Sequence, residues 1–158
     1  MSSGRIIAAA IVGGLVMFFW GAAVHTGLQL DRMALKTLPG EDLIMPALRY
    51  SLSERGAYVF PGWPEGKLSE EEEAALIEKY RVGPRGILIY NPEGGEMMTM
   101  SQLGTELLSN VLAALFVAIL LYRVNTLTLR AIYSTMIGIV AWLSIDVSYW
   151  NWYGFPSG

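Results

Sequence analysis

The chain has no cysteine, a single histidine (His25) and little charge, with only 16% of its 158 residues being Asp, Glu, Lys or Arg. Without thiols there is no disulfide framework, no thiolate nucleophile and no Cys-ligated zinc or iron–sulfur centre. One imidazole is too few for a multi-histidine metal site or a two-histidine relay. The sparse charge excludes a disordered tail and a basic nucleic-acid-binding surface. A net charge of −3 and a pI near 5.1 give no strong field toward polyanions, and no nucleic-acid partner is expected. Also missing are the phosphate-binding Gly-rich loop, the Gly-x-Ser-x-Gly nucleophile elbow and His-Glu-x-x-His. No internal repeat of useful length is present, which argues against an inverted-repeat transporter.

What is there is apolar: 53% of the residues, for a mean hydropathy of +0.41, gathered into blocks. Ile6 to Val24 runs 19 residues without a charge, close to the roughly 20 that cross a bilayer core. A second block, Leu103 to Tyr122, is interrupted only by Glu106, and a third, Leu127 to Trp150, holds Arg130 near its start and Asp146 near its end. Arg123 to Thr126 is a short turn joining the second and third spans into a hairpin. Arg5, Arg123 and Arg130 then share one side, which the positive-inside rule assigns to the cytoplasm. The other eight basic residues lie between Asp31 and Glu96, in a segment of about 78 residues, and long segments translocate largely regardless of charge. Gly21-Ala22-Ala23 resembles a signal-peptide cleavage site. The bulky Phe18-Phe19-Trp20 before it and the length of the apolar run favour a retained span; an N-terminus at Val24 in the purified protein would remove it.

These features predict a membrane α-helical protein: transmembrane helix 1 over 1–25, a small extracytoplasmic α+β domain over 26–100, helix 2 over 101–123, helix 3 over 127–150, and an outer aromatic tail over 151–158. Proline and glycine punctuate the middle segment into short elements. Glu41 to Leu52 suits a short helix bent or begun near Pro46. Ala57-Tyr58-Val59-Phe60 and Ile87-Leu88-Ile89-Tyr90 suit strands. Ser69-Glu70-Glu71-Glu72 is a capping box opening a helix over Glu70 to Tyr80. Strand, helix, strand permits either a right-handed parallel crossover or a helix covering an antiparallel pair. Two strands alone are marginal, so the domain is expected to lean on the membrane, the spans or a partner. The acidic run Glu70 to Glu73 reads as solvated capping, because consecutive helical positions spread four carboxylates around the axis instead of converging them on calcium.

The Phe19-Trp20-Gly21 exit from the first span, Tyr58-Val59-Phe60-Pro61-Gly62, Gly83-Pro84-Arg85-Gly86 leading into Ile87-Leu88-Ile89-Tyr90-Asn91-Pro92, and Trp150-Asn151-Trp152-Tyr153-Gly154-Phe155-Pro156 together resemble a family of uncharacterised bacterial inner-membrane proteins. The terminal motif is the most specific of these. The resemblance supports a multi-pass inner-membrane architecture; its relatives run on past the terminal motif into a further apolar segment, whereas this sequence stops at Gly158. It carries no activity.

Candidate functional residues fall in three groups. From Arg5 to His25 is about 30 Å of helix, from Glu106 to Arg123 about 26 Å and from Arg130 to Asp146 about 24 Å. His25, Glu106 and Asp146 are therefore expected at similar depth near the outer margin of the hydrocarbon. Helical phase puts Gly21, Gly14 and Ala10 below His25; Asn110, Ala113 and Ala114 below Glu106; and Trp142, Gly138 and Thr135 below Asp146. Such small and polar faces are expected to turn toward the bundle interior. Ionisable groups inside spans are catalytic or proton-handling candidates, with interfacial solvation as the plainer alternative. Met97, Met98 and Met100 offer soft thioethers to Cu(I), or adaptable packing at a helix entrance. Trp63, Trp150, Trp152 and Tyr153 suit an outer aromatic belt, or a groove for lipid or quinone. No cofactor is predicted. The expected role is a non-catalytic accessory or scaffolding subunit in contact with the bilayer and with other membrane subunits or its own copies; a membrane enzyme or a lipid-, quinone- or copper-binding protein is the alternative.

Overall fold

The computed structural model describes residues 3–29 and 35–156. It is mostly helical (65%), with three helices long and apolar enough to cross a membrane and one small two-stranded sheet. The elements are α1 (Ser3–Ala22), which runs into a π-helical segment (Ala23–Leu28), α2 (Glu41–Ser51), β1 (Gly56–Phe60), α3 (Glu70–Val82), β2 (Gly86–Tyr90), α4 (Met100–Leu121), α5 (Leu127–Ser144) and α6 (Asp146–Tyr153). The described residues form two compact units: those of Met1–Lys36, Glu96–Trp150 and Phe155–Gly158, and those of Thr37–Gly95 and Asn151–Gly154.

In the first unit α1 and α4 pack along each other in antiparallel sense. The contact is made by absent side chains: a Cβ on Gly14 would lie 2.5 Å from Val111 Cγ2 and 2.6 Å from its Cα, and one on Gly13 would lie 3.1 Å from Ala114 Cβ. Gly14 is buried, as is Ala10, at 3% exposure. Close backbone approach of this kind gives apolar helices a dispersion gain that lipid cannot match. α4 begins at a capping box, Thr99 with Gln102, in which each side chain satisfies the other residue's backbone N–H (3.2 and 2.8 Å). That box places the helix start three residues before the apolar block that marks it in sequence. The hairpin turn is as expected, and α5 is capped by Thr126 Oγ1, which accepts from the Leu129 N–H at 3.3 Å.

The third apolar block is distorted at Ile145 but continues through it. That residue (φ −106°, ψ −67°) shares its N–H between the carbonyls of Ala141 and Trp142, its own carbonyl accepts from the Tyr149 N–H at 2.9 Å, and α5 runs on into α6 as one span-length helical stretch over Leu127–Tyr153. Residues 151–153 of the expected outer aromatic tail are the last turn of α6; residues 157 and 158 of that tail lie outside the described residues. Beyond the helix, Phe155 folds back so that its ring meets Tyr149 edge-on at 5.2 Å.

The second unit holds β1 and β2 as an antiparallel pair, in register from Gly56↔Tyr90 to Phe60↔Gly86. Of the two topologies the sequence allows, α3 therefore joins antiparallel strands and makes no parallel crossover. Gly86 faces Phe60 across the sheet, and a Cβ there would lie 3.0 Å from the tip of the Phe60 ring, which would have to shift slightly. Ser69 caps α3 as expected, and the helix ends at Gly83, whose positive φ of 72° suits glycine. The small core contains Leu76 and Tyr90, each 7% exposed, with the Tyr58 ring edge-on to Tyr90 at 6.5 Å. Tyr80 ties α3 to the end of β1 by donating its hydroxyl to the Pro61 carbonyl at 3.0 Å. α2 matches its expected span; Pro46 sits inside it, where it cannot donate to the Asp42 carbonyl, and Glu41 and Asp42 occupy the positive helix start.

Candidate functional site

His25 lies in the π-helical segment after α1 and is exposed. A π turn closes i to i+5, so the 3.6-residue phase that stacks His25 over Gly21 and Gly14 does not extend to it. Gly14 and Ala10 do lie on a buried face, but Gly21 has open space around its Cα. Thr26, beside His25, donates its hydroxyl to the Ala22 carbonyl at 2.6 Å.

Glu106, on the first half of α4, accepts from the Asn110 side-chain amide at 3.1 Å, and Ser109 donates to the Glu106 backbone carbonyl at 2.8 Å. Both bonds come from its own helix. Asp146 follows the distortion at Ile145, as the first residue of α6. Among the described residues no hydrogen bond or ion pair joins His25, Glu106 and Asp146, and no group of three His, Asp or Glu is placed to hold a metal ion. The expected layer of ionisable groups is thus three separate residues, each in its own local setting.

The face expected to point Thr135, Gly138 and Trp142 into a bundle is uncovered. From Ala131 to Ser144 every residue of α5 is exposed, and a Cβ on Gly138 would meet nothing within 4 Å. The three long apolar helices do not close into a bundle among the described residues: α1 and α4 pair through glycine, whereas α5 touches α4 only sparsely. Nothing among the described residues covers a stripe that carries Thr128, Ala131, Thr135, Gly138 and Trp142 on one side of α5, while Leu129, Tyr133, Met136, Val140 and Leu143 fill the other side.

Met97 and Met98 lie in the loop ahead of α4 and Met100 is its first residue, all three exposed. Trp63 lies exposed in the loop after β1, and Trp150, Trp152 and Tyr153 are exposed on α6.

The charges with shifted titration are in the second unit. Glu72 is held below the usual carboxylate range by the Ser69 backbone N–H and then its hydroxyl, both at 2.9 Å. Arg81 holds Glu78 down through two 2.7 Å bonds, and the same bonds raise the guanidinium. These are caps and an exposed i,i+3 pair, and they stabilise α3.

One feature escapes the sequence pattern. Beside the Gly13–Ala114 contact runs an apolar groove of about 480 Å³ between α1 and α4, bounded at one end by Tyr122 and Arg130. The run of small residues on the two helices is its only trace in the sequence. Arg130 Nε donates to the Val124 carbonyl at 2.7 Å, and Arg123 stacks on the Tyr122 ring at 5.2 Å while donating to its hydroxyl.

Comparison with protein-family models, with curated proteins and with solved structures finds no match.

Proposed function

We propose that the chain is a non-catalytic accessory or scaffolding subunit of a larger assembly in a bacterial inner membrane. In this arrangement α1, α4 and the α5–α6 segment span the bilayer. Arg5, Arg123 and Arg130 face the cytoplasm, and the unit built on β1, α3 and β2 is periplasmic. The observation that carries the proposal is the bare surface of α5, a span whose two sides differ in chemistry. Lipid has no use for the difference, because acyl chains solvate Leu129, Met136 and Val140 on one side but gain nothing from Thr135 and Gly138 on the other. A second helix does gain, since small residues allow close approach and a threonine hydroxyl supplies an interhelical hydrogen bond.

Purification in mild detergent is the test. A membrane protein recovered in fixed stoichiometry, and lost when Gly138→Leu fills the stripe, is the expected outcome. A monodisperse single chain retaining full cellular function would overturn the proposal. Orientation is tested separately: the chain has no native cysteine, so a thiol placed at Trp63 and another at Arg123 report cleanly on sidedness in sealed cells. The two should label from opposite compartments.

A further inference from the structure

We propose that the groove between α1 and α4 binds one anionic phospholipid of the leaflet marked by the arginines, with an acyl chain in the groove and the headgroup phosphate at Arg123 and Arg130. The groove exists because Ala9, Gly13, Ala113 and Ala118 leave room beside the close Gly13–Ala114 approach, and its 480 Å³ is within the usual size of a ligand pocket. Walls of this kind, at membrane depth, are filled by hydrocarbon or by another helix.

Charge decides between those occupants. From Ser3 to Val24 and from Leu107 to Ile145 the only charged residues are Arg5, Arg123 and Arg130, with no carboxylate in either stretch. The antiparallel packing of α1 on α4 places all three at the Tyr122 end: Gly13 lies against Ala114, and the groove runs from there past Ala9 toward Tyr122 and Arg130. Basic pockets between spans at this depth bind anionic headgroups, and each Lys or Arg near the surface contributes about a fivefold gain in affinity. The turn fixes the cations for this task, since Arg130 is anchored to the Val124 carbonyl and Arg123 is stacked on Tyr122. A protein helix would have to bring its own carboxylates to the same place. The site lies at the opposite end of the spans from Glu106 and Asp146, so it is not the outer-face ionisable layer.

The proposal rests on the three helices spanning a bilayer. The experiment uses the full chain in nanodiscs containing equal phosphatidylglycerol and phosphatidylcholine with identical acyl chains, followed by native mass spectrometry of retained lipid. One phosphatidylglycerol should be retained in preference to phosphatidylcholine. Arg123→Gln and Arg130→Gln should each lower that preference about fivefold, and Arg130→Lys should keep most of it. Ala9→Phe fills the groove from an exposed position, away from the Gly13 contact, and should abolish the adduct with all charges in place. Equal retention of the two lipids, an unchanged adduct in Ala9→Phe, or a photocross-link from residue 9 to a second polypeptide would overturn the lipid site alone. Failure of the chain to enter the disc would remove the span assignment along with it. Because both leaflets of the disc carry the same lipid, the result does not depend on orientation.

Discussion

α4 and α5 are the two arms of one hairpin, similar in length and apolarity, yet one is packed and the other bare. α4 receives α1 because Gly13 and Gly14 remove the side chains that would hold the helices apart, so Val111 and Ala114 sit almost on the α1 backbone. α5 carries a glycine of its own, Gly138, with nothing near it. The difference teaches that a small residue in a span is an opportunity for contact and not a contact. Whether it is used depends on a partner surface of matching shape, and α5 has none within the described residues.

The largest expected effect tests the packed arm. Gly14→Ala puts a methyl within 2.5–2.7 Å of Val111, inside the distance at which backbone must move, so it should cost about 1–3 kcal/mol and separate α1 from α4. Thermal unfolding in detergent reads the loss. Gly138→Ala, with the same chemistry in open space, should change the stability of the isolated chain by less than about 0.5 kcal/mol. Equal costs at the two positions would erase the contrast.

A smaller effect sharpens it at the helix starts. Thr99→Ala combined with Gln102→Ala removes both halves of the α4 capping box and should cost about 1–2 kcal/mol, more than Thr126→Ala at the single cap of α5. Helix content against denaturant measures both.

The smallest effect sets both long helices against α3, a helix that adds polar caps and an ion pair to the packing of Leu76. The bonds from Ser69 to Glu72 and from Arg81 to Glu78 favour the ionised carboxylates, so both groups titrate lower folded than unfolded. Their contribution is complete above the ordinary carboxylate pKa of about 4.3 and is lost as pH falls through the lowered folded values. The raised Arg81 stays protonated throughout that window and adds no slope. Far-ultraviolet circular dichroism of the full chain should therefore show α3 loosening only below about pH 4–5, with a weaker pH dependence in Ser69→Ala. A transition near neutrality would contradict these causes.

Much of this architecture is legible in the amino-acid sequence. The apolar blocks, the turn at Arg123 to Thr126, the capping box at Ser69 and both strands follow from local chemistry: charge-free runs, a Ser-x-x-Glu pattern and β-branched and aromatic residues. The start of α4 is equally available in Thr99-Met100-Ser101-Gln102, a capping pattern masked by the apolar block that follows it. Ile145 distorts its helix without proline or glycine, so no residue announces it. The candidate site is less legible. Placing His25, Glu106 and Asp146 side by side assumes α-helices closing into one bundle, whereas His25 lies on a π-helical segment and α5 is unpacked among the described residues. Depth along a helix is set by residue count, but lateral neighbours are set by packing, which periodicity does not determine.

The most direct test of an uncovered span awaiting a partner is photocross-linking in native membranes from single positions on α5. Probes at Thr135 and Gly138 should join the chain to one defined second polypeptide, while probes at Leu129 and Val140 on the other side should yield only lipid adducts. Protein adducts from both sides alike, or lipid adducts from all four positions, would contradict it.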